Sequence, residues 1–265
     1  MSNLKTYSFW QSPSYSENIP PYILLGLASA RILLGERFEV LNLNTIKQYL
    51  DLSLFKDKIW QFRNESDERK KELMSIIAKS DYIRMALIEK VGGVWIDADT
   101  IIIGDYTEHL DSITENSKLI WYTEQFFSAD KNNLLLQKAS NNMLEADYQT
   151  WGNPGLIKNL ISDNPEEIKK IPYDLIDPKY VEKYQYASRD IMLSDKIDPK
   201  EFLLNNKQCI LILYNTPFSQ THWAKMTCEE FLEQNILLSK IFLHINPSKE
   251  LWIEKVQDIL KMINA

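Results

Sequence analysis

The sequence predicts an α/β fold with a mostly parallel central sheet, and three observations carry that expectation. From Thr6 to Leu50 short apolar runs alternate with helical periodicity in the order strand, helix, strand, helix. A long amphipathic stretch then passes through Gly92-Gly93 directly into the apolar run Val94-Trp95-Ile96. A further apolar run, Cys209 to Tyr214 (CILILY), has the continuous character of a buried strand. The 265 residues, 45% hydrophobic and 25% charged, suit one large domain, and no break in composition divides them.

Taken in order, Thr6 to Trp10 (TYSFW) reads as the first strand, ended by Ser12-Pro13. Pro20-Pro21 starts a helix through about Leu34, because proline's fixed φ suits a first turn whose N–H groups have no partner. Its apolar positions are Ile23, Leu24, Leu27 and Ile32. Arg37 to Leu43 is the second strand, and Asn44 caps a short helix over Ile46 to Leu50. The charge run Arg63 to Glu72 is a solvated loop or a helix start. Beyond the central stretch come a strand at Leu119 to Thr123 and helices near Asn132 to Asp147 and Leu156 to Ile161. A polar, proline-containing region covers Asp163 to Lys200. Two closing helices span roughly Thr227 to Phe242 and Ser248 to Ile263, the second capped by Ser248 after Pro247.

Composition removes several classes. Lys+Arg of 30 against Asp+Glu of 37 gives a net charge of -7, which argues against a nucleic-acid partner. Cys209 and Cys228 are too few and too unlike a CxxC pair to suggest a zinc site or a disulfide framework, and read as buried or indifferent thiols in a reducing compartment. The N-terminus lacks the apolar run of a signal peptide, and ILLGLASARILLG is interrupted by Arg31 and too short to span a bilayer. A cytoplasmic location is expected, with a membrane-bound substrate or partner left open.

The informative stretch is Ser80 to Ile103, SDYIRMALIEKVGGVWIDADTIII. Leu73, Ile76, Ile77, Ser80, Arg84, Leu87, Ile88 and Val91 recur at helical spacing and share one face. Asp81, three residues before Arg84, stands on the same side. The pair reads either as an ion pair at the core's edge or as a polar notch for a hydroxyl-rich ligand. Gly92-Gly93 lets the chain reverse into a strand on which Trp95, Asp97 and Asp99 point one way and Val94, Ile96 and Ala98 the other. In an extended strand the two carboxylates lie about 7 Å apart, and they repel unless a positive charge is near. Carboxylate oxygens suit Mg²⁺ or Mn²⁺, and such an ion keeps positions open for the oxygens of a diphosphate. A lone pair of spaced aspartates is a weak signal; the whole arrangement at fixed offsets is far more specific.

Ser80-Asp81-Tyr82-Ile83-Arg84 followed by Gly92-Gly93-Val94-Trp95-Ile96-Asp97-Ala98-Asp99 resembles the core signature of DXD glycosyltransferases. Within that group it is similar to bacterial capsular polysaccharide synthesis proteins and to the catalytic domains of clostridial glucosylating toxins. The strong match runs from about Ala78 to Thr100, with a weaker one where SFWQ precedes IPPYI. The resemblance implies a GT-A fold in one domain, 1–265, with a Rossmann-like nucleotide-sugar half (1–105) and a helical acceptor half (106–265). It implies that Asp81 and Arg84 hold donor sugar hydroxyls, that Asp97 meets ribose and sugar and reaches the metal directly or through water, and that Asp99 ligates the metal. It also implies that Trp10 stacks on the nucleotide base. Trp95 takes a place where the wider group more often has tyrosine, so packing is its firmer role beside a donor contact.

By the same resemblance Asn215 to Lys225 is a closing loop whose Trp223 covers the diphosphate, with His222 completing the metal shell or binding phosphate. The plainer reading is a surface histidine and a packing tryptophan. His109 and His244 read as structural, and Glu124 either faces the acceptor or is a solvated strand end. The implied reaction moves a hexose from a UDP-sugar, with Mn²⁺ or Mg²⁺, to a saccharide or lipid-linked saccharide, with retention and no covalent intermediate. Peripheral membrane association through the acceptor is part of that expectation.

Two other classes share parts of this pattern. An aspartyl-phosphate hydrolase also places its nucleophile after an apolar strand, but that motif wants Thr or Val where this chain has Ile101. A non-catalytic nucleotide-sugar-binding protein fits the same residues. A calcium loop does not, because Asp97, Asp99 and Asp105 lack the intervening glycine and terminal glutamate.

Overall fold

The structure is a computed structural model that describes residues 4–16, 18–61, 66–107, 110, 118–148, 150, 152–171, 176–178, 189–203, 208–213, 215–219 and 221–265. His109, the start of the charge run at Arg63, Tyr214 and residues 172–175 and 179–188 of the polar region lie outside the described residues.

Six strands form the main sheet in the order β2-β1-β3-β6-β5-β7. They are β1 (Thr6–Phe9), β2 (Phe38–Leu41), β3 (Gly93–Ile96), β5 (Leu119–Thr123), β6 (Phe126–Ala129) and β7 (Ile168–Lys170), while β4 (Thr100–Ile102) pairs antiparallel with β8 (Ile210–Ile212) in a separate ribbon. The pairs β1–β2, β1–β3 and β5–β7 are parallel, and β6 is antiparallel to β3 and β5. All strands of this sheet but β6 therefore point the same way, and the ends of β1, β2, β3 and β5 define one carboxyl edge. The mixed α/β expectation with a mostly parallel sheet holds.

Helices cover both faces. On the first, α1 (Pro21–Leu34) packs with Val40, Val94 and Ile96, with the β4–β8 ribbon and with the C-terminal helices. On the second, α2 (Glu68–Val91) and α3 (Leu134–Glu145) cover Tyr7, Phe9, Trp95 and Phe127. The two-residue period of the strands sends Val94 and Ile96 into one core and Trp95 into the other. The remaining described α-helices are α4 (Ile157–Asp163), α5 (Arg189–Met192), α6 (Pro199–Phe202), α7 (Asn215–Ser219), α8 (Cys228–Leu232), α9 (Leu237–Ile245) and α10 (Lys249–Ile263). No described helix is long and apolar enough to cross a membrane.

Four readings need correction. Ile46–Gln48 forms a 3-10 turn rather than an α-helix, and Asn42, not Asn44, supplies the side-chain oxygen that accepts from the Asn44 and Thr45 N–H groups. The first closing helix is two, because the chain is extended at Ile236 between α8 and α9. β6 and β7 were not foreseen. Most consequentially, VWIDADTIII is not one strand. β3 stops at Ile96, the Thr100 N–H donates to the Asp97 carbonyl at 3.0 Å, and the chain leaves the main sheet for the ribbon. Asp97 and Asp99 thus occupy a turn, and the extended-strand spacing between them does not apply.

Candidate active site

The turn lies on the carboxyl edge, where ligands gather in open α/β sheets. Sequence puts it there through a sharp reversal at the end of α2. Gly92, with φ +72°, ends the helix with its N–H on the Ile88 carbonyl at 2.8 Å. At Gly93, with φ +111°, a Cβ would sit 2.5 Å from the Lys5 carbonyl oxygen, so only glycine lets β3 lie this close to the start of β1. The reversal fixes α2 antiparallel to β3 and brings Asp81 and Arg84 over the strand's far end. At the opposite end of α2, the Asp67 carboxylate caps the helix by accepting from the Arg69 and Lys70 N–H groups.

Arg84 is the hub. It is 5% exposed, and its Nη2 meets Asp81 Oδ1 at 2.6 Å while Nη1 lies 3.4 Å from Asp97 Oδ2. Nη1 also donates to the Glu124 carbonyl at 2.8 Å, and the guanidinium carbon stands 5.9 Å from the Trp95 ring centre. Burial works against its charge, but Asp97, then Asp81, outweigh that cost and hold the guanidinium more firmly than usual. Among the described residues its Nε has no hydrogen-bond partner. A buried donor left unpaired is expensive, so the cluster carries a cost that its charge pairing must offset.

Asp97 accepts from Trp95 Nε1 at 2.7 Å, and its own N–H donates to the Gln125 carbonyl at 2.9 Å. Burial raises the pKa of its carboxyl; Arg84 pulls the other way, and the like charge of Asp99 adds to the rise. A cation beside the pair would relieve that repulsion. Asp99 is half-buried; its Oδ2 accepts from the Asn215 N–H at 2.8 Å and its main-chain oxygen from the Leu213 N–H at 2.9 Å.

Asp81, Arg84, Trp95, Asp97 and Asp99 are therefore brought together. Trp95 is 0% exposed, buried behind Asp97, to which its indole N–H donates. Trp10 is half-buried at the end of β1, with its N–H on the Leu41 carbonyl at 2.9 Å and its indole Nε1 on Ser12 Oγ at 3.1 Å. His222 and Trp223 lie on a 3-10 turn, His222–Lys225. His222 is exposed, its ring centre 4.1 Å from that of Trp223, whose other side packs on the first core. Among the described residues no three His, Cys, Asp or Glu side chains form a group able to hold a metal ion.

The family model described as "Capsular polysaccharide synthesis protein" matches residues 2–149, more than half of the chain and all of the site except the C-terminal segment. The chain belongs to that family. None of the curated proteins matches it. Among solved structures it is similar to the PaToxG glycosyltransferase, at 15% identity over 61% of this chain and 70% of that one, with a TM-score of 0.39. It is also similar to the galactosyltransferase LgtC in complex with donor and acceptor sugar analogs, at 12% identity over 94% and 99%, with a TM-score of 0.48. The apo form of the glycosyltransferase GlyE from Streptococcus pneumoniae TIGR4 is similar at 11% identity over 97% and 63%, with a TM-score of 0.48.

Three contributors to this capsular-family site escaped the sequence. The β5–β6 hairpin turn, Glu124-Gln125, offers its carbonyls to Arg84 and Asp97; a short apolar run, FFSA, after LIWYTEQ was the available signal. The Glu124 carboxylate is neither bare nor deeply buried, at 22% exposure, and lies 3.5 Å from Lys158 Nζ. Asn215 and Tyr22, whose hydroxyl donates to Asn215 Oδ1 at 2.8 Å, meet across 193 residues, and no local pattern announces them.

Proposed function

We propose that this capsular-family protein is a metal-dependent glycosyltransferase of GT-A type that moves a hexose from a UDP-sugar to a hydroxyl of a saccharide or lipid-linked saccharide. Building a polysaccharide requires glycosidic bonds, so family membership supports the class. The observation that carries the reading is Arg84, buried among Asp81, Asp97 and the Glu124 carbonyl, beside the Asp97–Asp99 turn.

The residues fit the implied cation in donor chemistry: Asp97 and Asp99 offer hard carboxylate oxygens on one turn, and Mn²⁺ or Mg²⁺ accepts few protein ligands. When bound, the ion would supply positive charge for the departing nucleoside diphosphate. This chain's own groups do the rest. Arg84 and Asp81 orient the donor sugar, and the Trp95 indole fixes the rotation of Asp97. Trp10 offers a ring to the base. Trp223 and His222 cover the diphosphate and exclude water, which strengthens every charge interaction inside. With the acceptor hydroxyl held against the anomeric carbon, proximity supplies much of the rate. Retention by a front-face route, in one domain in the cytoplasm, completes the reading.

The test is release of UDP from a panel of UDP-sugars with Mn²⁺ or with EDTA, comparing wild type with Asp99→Ala. Turnover of one sugar, lost in EDTA and in the variant, is expected. Failure of every nucleotide sugar to bind in the presence of metal overturns the reading and moves phosphatase substrates to the front.

A further inference from the structure

The start of the closing segment is tied to the acidic turn by two groups that no motif announces. β8 runs antiparallel to β4, the strand that leaves the turn, so the chain beyond β8 emerges beside Asp99. That chain grips Asp99 twice, through the Leu213 N–H to its carbonyl at 2.9 Å and the Asn215 N–H to Oδ2 at 2.8 Å. The second bond sets the rotation of the carboxylate. Asn215 is in turn held by Tyr22, whose hydroxyl donates to Asn215 Oδ1 at 2.8 Å.

Tyr22 is well built to hold. It is 0% exposed on the first turn of α1, its ring centre 5.5 Å from that of Phe218 and 6.3 Å from that of Phe231. Burial raises the pKa of its phenol, and the negative charge of Asp99 raises it further, so the hydroxyl remains a donor throughout the working range. Four residues on, α1 packs against the turn at Gly26: a Cβ there would stand 3.4 Å from the Thr100 carbonyl and 3.7 Å from that of Ala98, in ordinary contact. Helix, turn and closing segment thus meet at one point.

The geometry points to Tyr22 and Asn215 as positioning residues that aim the Asp99 carboxylate at its cation, an inference that rests on the transferase reading above. Tyr22 fixes the Asn215 side chain; the fixed Asn215 directs its N–H; the N–H selects one rotamer of Asp99. Partners of this kind orient metal ligands without touching the metal.

The experiment is a Mn²⁺ titration of the full chain, followed by the electron paramagnetic resonance signal of free Mn²⁺, with and without UDP. Tyr22→Phe keeps the ring and its packing and removes one hydroxyl. Asn215→Ala keeps the main-chain N–H and removes the acceptor. Each is expected to weaken Mn²⁺ binding about tenfold, and the double variant to be no weaker than either, because both act along one chain of bonds. Thermal unfolding in EDTA shows whether each variant is folded; a merely structural role lowers that midpoint and leaves Mn²⁺ affinity unchanged. If wild type binds Mn²⁺ and Tyr22→Phe binds it equally well, or if the two losses add, the positioning role is overturned while the transferase reading stands. If wild type binds no Mn²⁺ with or without UDP, both fall. If Tyr22→Phe does not fold, Asn215→Ala decides alone.

Discussion

The two walls of the proposed donor site are built on opposite principles. On one side Arg84 is 5% exposed and held by Asp81, Asp97 and the Glu124 carbonyl, with Trp95 sealed behind it. On the other, His222 is exposed and Trp223 half-buried on a short turn, with the segment joined to the acidic pair through its first residue, Asn215. The first wall spends desolvation energy on a fixed array of charges before any ligand arrives. The second keeps its groups near solvent, where, in the proposed reading, they cover a ligand after it has entered. Preorganised charge selects and holds; an exposed cover admits and releases.

Substitutions should therefore separate into large effects on the Arg84 wall and small ones on the cover. The largest is expected for Asp99→Ala, with UDP release falling at least about 100-fold while the fold persists, since loss of cation charge removes several kcal/mol of stabilisation. Retained turnover would break the comparison at its centre. Next, Arg84→Ala should destabilise the chain by about 3–5 kcal/mol in urea unfolding, because it leaves buried carboxylates without their countercharge. A loss under about 1 kcal/mol would mean that water already screens the cluster. Gly93→Ala should cost about 1–3 kcal/mol or more through strain at φ +111° and the close Lys5 carbonyl. Trp95→Phe removes the hydrogen bond to Asp97 and should lower UDP release about tenfold, consistent with a lost bond to a charged group, and the smaller ring leaves a void in the core that lowers stability as well. His222→Ala, on the cover, should change turnover by no more than about threefold, as loss of one weak contact would. A loss comparable to that of Asp99→Ala would make His222 part of the charged array.

Much of this was legible because it is local. A helical period carried Arg84 and Asp81 to one face, and two glycines marked the reversal that places the face over β3. The Ser248 and Pro20-Pro21 signals set α10 and α1 to within a residue, since caps depend on neighbours in sequence. What the sequence hid is what depends on distant partners. The apolar run through Asp97 and Asp99 looked continuous, and only β8, more than a hundred residues on, draws Thr100–Ile102 out of the main sheet. Trp95 alternated correctly onto the face of Asp97, but alternation does not say that α2 buries it completely. The antiparallel β6 was missed because a short run beside a polar turn carries little period of its own. Tyr22 and Asn215 could not have been paired from sequence at all.

The measurement that bears most directly on the central claim is calorimetric titration of UDP into wild type and Asp99→Asn, each with Mn²⁺ and with EDTA. Asparagine preserves the shape of the side chain and removes its charge. The account predicts that UDP binds wild type only with Mn²⁺ and binds the variant at least about tenfold more weakly, the size expected when a metal ligand is compromised. UDP binding of equal strength in EDTA, or in Asp99→Asn with Mn²⁺, would contradict it.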